Sequence, residues 1–276
     1  MFEVALLASI LSGGLCGILG YYVQRFNIVT LSFSVAHAAL AGAALALVLG
    51  LDVTYLALVF ASSFALVIGI ISTRVSTLER ELISMGFFSL FNAIALLMIY
   101  MSTTYVLSTA SISVVLWGSL LAITKPKVIT LLGLVVIFSF YIFMFRSQID
   151  AILFDRKLAE AEGIDVDFHI LITLLFVGTA IAFTLRLTGG FLVFTLLYNP
   201  VASTMQLIRS AQRQQLMSPI LGAISAMSGL VFSYILDWPV GATIALISSI
   251  ILISSYIARI VINFRLVRIA SRGDGS

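Results

Sequence analysis

Charge is scarce in this sequence: Asp, Glu, Lys and Arg together make up only 10% of its 276 residues. Soluble globular domains carry roughly a quarter charged residues, so a fold surrounded by water is excluded at the outset. The net charge of +3 gives no support to a nucleic-acid role. A single cysteine, Cys16, leaves neither an intrachain disulfide nor a thiolate metal site. No Gly-x-x-x-x-Gly-Lys-Ser/Thr stretch occurs, so the chain does not hydrolyse ATP itself, and the absence of His-Glu-x-x-His removes the commonest zinc hydrolase motif. All the glutamates (Glu3, Glu79, Glu81, Glu160, Glu162) lie at or beyond the ends of apolar runs, which leaves an intramembrane hydrolase without its base. The first run opens on Met1-Phe2-Glu3 with no basic segment ahead of it, and is therefore expected to be a span rather than a cleavable signal.

What the chain has in abundance is apolar length. Hydrophobic residues make up 61% of it and its mean hydropathy is +1.19. The runs are too long and unbroken for the ten-residue alternation of an outer-membrane barrel. The expected fold is all-α, a polytopic membrane protein with spans at 4–23, through His37 to about 50, and at 53–72, 84–102, 128–145, 168–187, 191–208, 219–236 and 240–260, about nine in all. Arg25, Arg74, Arg80, the polar loop 146–167, Arg209, Arg213 and the basic tail 261–276 mark one side of the membrane, and the positive-inside rule makes that side cytoplasmic. The alternation works only if the serine-rich stretch 106–123 does not cross, so it is expected to be an outer, interfacial or re-entrant helix. That choice leaves Lys125 and Lys127 outside. Residues 1–260 then form one transmembrane domain.

Four features within this frame carry chemistry. His37, one of two histidines, sits inside an apolar run. An imidazole in hydrocarbon must face a polar pathway or bond across a helix contact, and both readings stay open. Gly13 and Gly17 give the first span a small-xxx-small face for close packing within the bundle. The stretch from Leu187 through Gly189-Gly190 to Tyr198-Asn199-Pro200 reads as a broken helix, because Pro200 frees a backbone carbonyl inside a span. Such a break is either a packing kink or the lining of a cavity. Residues 153–164 read as a short cytoplasmic helix ended by Gly163: a solvated loop or a docking element for a partner. Asp237 precedes Trp238-Pro239 in turn chemistry. His169 is expected at a span interface, Asn92 in an interhelical hydrogen bond, and Arg186 snorkelling outward.

Four stretches together resemble the permeases of metal-type ABC importers, those serving zinc, manganese or iron. They are His37-Ala38-x-Leu40-x-Gly42, Phe154-Asp155-x-x-x-Ala159-x-Ala161-x-Gly163, Gly190-Phe191-Leu192-Val193-x-x-Leu196-Leu197-x-x-Pro200-x-Ala202-Ser203, and Asp237-x-Pro239-x-Gly241. The resemblance implies a permease in the plasma or inner membrane, moving a divalent metal ion and paired with a second copy or a paralogue. It also implies cytosolic ATPase subunits that supply ATP hydrolysis and an extracytoplasmic metal-binding protein that delivers the cargo. It makes His37 and Asp237 candidate metal contacts and Ser34, Tyr198, Asn199 and Pro200 candidate pathway residues. By the same analogy Asp155, Ala159, Glu160, Ala161 and Gly163 couple to the ATPase. No cofactor is expected on this chain, with the metal as substrate. The family's pattern Asp-Ala-Leu-Ser-His is here Phe33-Ser34-Val35-Ala36-His37. Phe33 replaces a carboxylate that would share a helix face with the histidine, which opens the alternative of a metal chelate. A secondary transporter coupling protons through His37 and Asp237 is the other alternative; it would work without an ATPase.

Overall fold

The computed structural model describes residues 2–72, 74–106, 114–119, 124–190 and 193–273. The chain runs α1 (Phe2–Arg25), α2 (Val29–Leu49), α3 (Val53–Ser72), α4 (Thr77–Met101) and a π-helical turn (Ser102–Val106). Then come α5, of which residues 114–117 are described, α6 (Lys125–Met144), α7 (Arg146–Phe154), α8 (Arg156–Ala161), α9 (Val166–Thr188), α10 (Val193–Leu207), α11 (Ala211–Leu236) and α12 (Val240–Gly273). Among the described residues eight helices (α1, α2, α3, α4, α6, α9, α11 and α12) are long and apolar enough to cross a membrane. The protein is a multi-pass helical membrane protein.

The one expected span missing from these eight, 191–208, forms a shorter helix than its hydropathy suggests. α10 has 15 residues, about 22 Å at 1.5 Å per residue, against a hydrocarbon core of about 30 Å. The reason is the glycine pair. Gly189 caps α9 at φ 78, a left-handed conformation in which glycine carries no steric penalty, and helix resumes only at Val193. Phe191 and Leu192 lie outside the described residues. The chain does not break at Pro200, which is inside α10: the interruption belongs to the glycines, and the proline is accommodated within a continuous helix.

α2 is the axis of the bundle. Its span is 83% buried, whereas those of α4 and α12 are 11% and 17% buried. Its run of small residues, Ala36, Ala38, Ala39, Ala41, Gly42, Ala43, Ala44 and Ala46, is buried and lets α3, α4 and α9 pack around it. α1 packs chiefly on α11, and α10 lies between α1, α11 and α12. Gly13 and Gly17 meet Gly222 and Ser218 of α11 almost backbone to backbone, so the small-residue face of the first span serves contact inside the bundle. The outer surfaces of α4, α6 and α12 remain apolar and exposed, with Leu82, Phe140 and Ile253 among their exposed side chains.

The basic residues collect at one end. Arg25 Nη2 donates to Gln214 at 2.5 Å, Arg80 Nη2 to the Asn27 carbonyl at 3.0 Å and Arg259 Nη1 to Gln206 at 2.5 Å, while Arg156 pairs with Asp167 at 3.2 Å. These contacts join the end of α1 to the start of α11, the α1–α2 turn to α4, α12 to the end of α10, and α8 to α9. This is the end that the positive-inside rule expects to face the cytoplasm. Lys127 Nζ reaches Thr54 Oγ1 at 3.0 Å, tying the start of α6 to the start of α3 at the opposite end, where the orientation requires it. The charged stretch 74–81 is not all loop. Ser76 and Glu79 form a capping box, so α4 starts at Thr77 and carries Arg80 into the packed bundle. Most of the outer helix expected at 106–123 lies outside the described residues. Its described part, at α5, accepts at Val115 a hydrogen bond from the Gly190 N–H of 2.8 Å.

Candidate functional site

His37 projects from the middle of α2 and is 4% exposed. Its Nδ1 lies 3.0 Å from the Phe33 carbonyl oxygen one turn back, and an Nδ1–H donates to it there. Aromatic rings of two other helices lie against the imidazole. Phe88 of α4 lies 4.3 Å away between centroids and Phe194 of α10 at 6.3 Å. Phe33 itself lies 5.5 Å from Phe194. Three helices thus contribute to one aromatic cluster around a single nitrogen base. The position where the resemblance calls for a carboxylate is filled by a ring packed on its neighbour.

From this cluster a narrow cleft continues toward the cytoplasmic end between α1, α2 and α10. Phe33 and Tyr198 line it together with Gly20, Gln24, Ser32 and Leu197. The candidates His37 and Tyr198, together with Phe33, therefore fall along one α2–α10 seam. The others do not. Ser34 Oγ is 2.5 Å from the Ser84 carbonyl of α4 and 3.1 Å from the Thr30 carbonyl, so its hydroxyl clasps α2 to α4. Asn199 Nδ2 donates to Ser249 Oγ of α12 at 3.2 Å, away from α2. Pro200 is buried within α10.

Asp237 is exposed and caps α11 in the left-handed conformation, φ 54, a role that Asp fills more readily than bulky residues. Ser233 braces the same turn by donating to the Trp238 carbonyl at 2.6 Å. The turn belongs to α11 and α12, which pack with α1 and α10, whereas His37 is on α2 among α3, α4 and α9. Among the described residues no group of three His, Cys, Asp or Glu side chains could hold a metal ion. The expected pairing of His37 with Asp237 is thus not assembled into a chelating set. What the seam offers chemically is one imidazole donor among π faces, suited to passing contact with a cation rather than retention.

The cytoplasmic segment is built around α8. Asp155 Oδ1 accepts from the Lys157 and Leu158 N–H groups at 2.8 and 3.0 Å, which satisfies two of the donors a helix start leaves open. Gly163 at φ 83 ends the helix, with Ile164 N–H returning to the Ala159 carbonyl at 3.0 Å. Ala159 is buried, Ala161 is exposed, and Glu160 pairs with Arg156 at 2.9 Å. Phe154 and Leu158 stand out at 86% and 50% exposure, two apolar knobs on the cytoplasmic surface.

Sequence reasoning missed what fastens this segment to the spans. His169, in the first turn of α9, is 2% exposed. Its Nδ1 accepts from Tyr141 Oη at 2.5 Å, and its Nε2 donates to Gln148 Oε1 at 3.0 Å. The ring thereby ties the end of α6 and the start of α7 to α9. The spacing of Tyr141 and Gln148, two turns apart on either side of the α6–α7 joint, was the available signal. Asn92 shows the reverse: its Oδ1 is buried without a hydrogen-bond partner among the described residues, contrary to the expected interhelical bond. The Arg186 side chain lies outside the described residues.

Eight long apolar helices among the described residues, α2 buried among the other seven, with a capped α8 between spans and basic residues gathered at one end, define a multi-pass membrane protein. The chain belongs to the ABC 3 transport family, whose model matches residues 1–259. It is 25% identical over 256 residues to the manganese transport system membrane protein MntC of Listeria monocytogenes, covering 92% of this chain and 89% of that one. It is 24% identical over 268 residues to the high-affinity zinc uptake system membrane protein ZnuB of Buchnera aphidicola, covering 94% and 99%. Among solved structures, PsaBC from Streptococcus pneumoniae in complex with Fab superposes with a TM-score of 0.78 at 23% identity, over 92% of this chain and 90% of that one. That last likeness is one of fold. As a transport subunit of this family the chain is not itself an enzyme.

Proposed function

We propose that the chain is the membrane-spanning permease subunit of an ATP-driven importer that carries a divalent metal ion across the plasma or inner membrane. One observation carries the reading: the family match runs through residues 1–259, so it takes in every span and the cytoplasmic α7–α8 segment rather than a single motif. The names of the relatives, manganese in one and zinc in another, support a dication as cargo. ATP hydrolysis then resides on cytosolic partner subunits, an extracytoplasmic metal-binding protein delivers the ion, and a second permease copy or paralogue completes the pore. In this reading His37 is the passing contact for the cation, Tyr198 lines the way inward, and Asp237 acts at the outer mouth. Asp155, Ala159, Glu160, Ala161 and Gly163 give α8 the shape that an ATPase grips, with Phe154 and Leu158 as its apolar contacts. The aromatic cluster at Phe33 favours a second reading, a chelated rather than bare ion, because a ring offers a chelate a surface and a bare dication no ligand.

The test is reconstitution. The chain should co-purify with an ATPase subunit, and ATP-dependent uptake should stop in His37→Ala while the complex still assembles. Normal uptake by that variant would remove His37 from the path.

A further inference from the structure

The cytoplasmic end holds a second cavity that the transport path does not use. It has a volume of about 330 Å³ and lies between the α1–α2 turn, the start of α4, the end of α7 and the start of α9. Three arginines line it: Arg25, Arg80 and Arg156. Arg156 is neutralised by Glu160 and Asp167. The other two form no ion pair among the described residues; Arg25 reaches the Gln214 amide and Arg80 a backbone carbonyl. Arg80 is only 5% exposed, and the Nε atoms of both Arg25 and Arg80 are buried without a hydrogen-bond partner among the described residues.

Burying a guanidinium with unmet donors is costly, and a fold retains such a cost where a ligand removes it. The chemistry that fits is a phosphate group: anionic, with several acceptor oxygens matched to guanidinium donors. Placement favours a membrane source. The cavity opens where the spans reach the cytoplasmic surface, the level of inner-leaflet headgroups, and basic pockets between helices at that level suit anionic lipid. We infer that the Arg25–Arg80–Arg156 cavity binds a phosphate group, supplied by the headgroup of an anionic inner-leaflet lipid.

Native mass spectrometry of the full chain, released from bilayers of mixed phosphatidylglycerol and phosphatidylcholine, tests this. The anionic lipid should be retained over the zwitterionic one by roughly 30-fold, as two unpaired arginines would provide. Arg80→Gln and, in case that buried position fails to fold, Arg25→Gln should each lose most of the enrichment. Arg74→Gln, exposed and outside the cavity, should keep it. If millimolar inorganic phosphate displaces the lipid, the phosphate site stands and its source is soluble. Equal retention of both lipids, or unchanged enrichment in both cavity variants, overturns the inference. Release of the lipid on adding the ATPase subunit would also overturn it, by making the cavity a socket for that partner's acidic side chains.

Discussion

The α1–α11 contact permits a controlled test of how this bundle is held together. A Cβ placed on Gly17 would lie 2.4 Å from the Ser218 carbonyl oxygen and 2.8 Å from the Pro219 Cα, whereas one on Gly14 meets nothing nearer than the Pro219 carbonyl oxygen at 3.8 Å. Ordinary contact begins at 3.4 Å, so the deficit at Gly17 is 3.4 − 2.4 = 1.0 Å, and it is set against backbone that cannot rotate away. The two helices must part by about that much, and a gap of 0.5–1 Å forfeits roughly a quarter to a half of each contact's dispersion well. Overpacking of this kind costs about 1–3 kcal/mol, partly offset by up to about 1 kcal/mol from replacing glycine by alanine in a helix. Gly14→Ala receives only the second effect. The two variants should therefore differ by about 2 kcal/mol, roughly 30-fold in the unfolding equilibrium, with Gly17→Ala the weaker. Denaturant titration in mixed micelles measures this. A double Gly13→Ala/Gly17→Ala variant should cost less than the sum of its parts, because one separation relieves both clashes. Identical titration midpoints for Gly17→Ala and Gly14→Ala would refute the packing argument.

The same reasoning gives three further expectations. His37→Phe keeps a ring in the aromatic cluster and removes only the nitrogen donor, at about 1 kcal/mol for the lost bond to Phe33; melting should barely move while uptake stops, and retained uptake would show the imidazole to be structural. His169→Ala leaves Tyr141 Oη and Gln148 unpaired, costing about 1–3 kcal/mol, and should loosen α7 from α9 so that ATP is hydrolysed with less transport per turnover; an unchanged ratio of transport to hydrolysis would count against that link. Glu160→Lys breaks the pair with Arg156 and places like charges one turn apart, and should uncouple hydrolysis from uptake, whereas Asp155→Asn keeps a helix-capping oxygen and should remain coupled; equal coupling in both would return α8 to a passive loop.

Hydropathy length made the spans legible and arginine placement the end at which the basic residues collect, and the α8 helix with its Gly163 terminator followed from local rules. The close packing of Gly13 and Gly17 was legible as well, because small residues four apart have few other uses in a span. The seam at positions 33, 37 and 198 was only half visible. His37 announces itself as a lone imidazole, but that Phe88 and Phe194 enclose it depends on which helices meet, which no local pattern specifies. The place of Asp237 in a turn was legible from the proline two residues on, but the left-handed backbone with which it caps α11 was not. Pro200 drew the helix break to itself, whereas Gly189 sets it. Arg80 read as a loop charge because the capping box that extends α4 past it competes with the general expectation that charge ends a span.

The central claim is tested most directly by uptake into proteoliposomes holding this chain with an ATPase subunit and a metal-binding protein, with zinc, manganese, iron and cobalt in competition. Accumulation of one dication, dependent on ATP and absent in His37→Phe, is the predicted result. Uptake that proceeds without the ATPase under an ion gradient, or no uptake of any of the four by an ATPase-active complex, would contradict it.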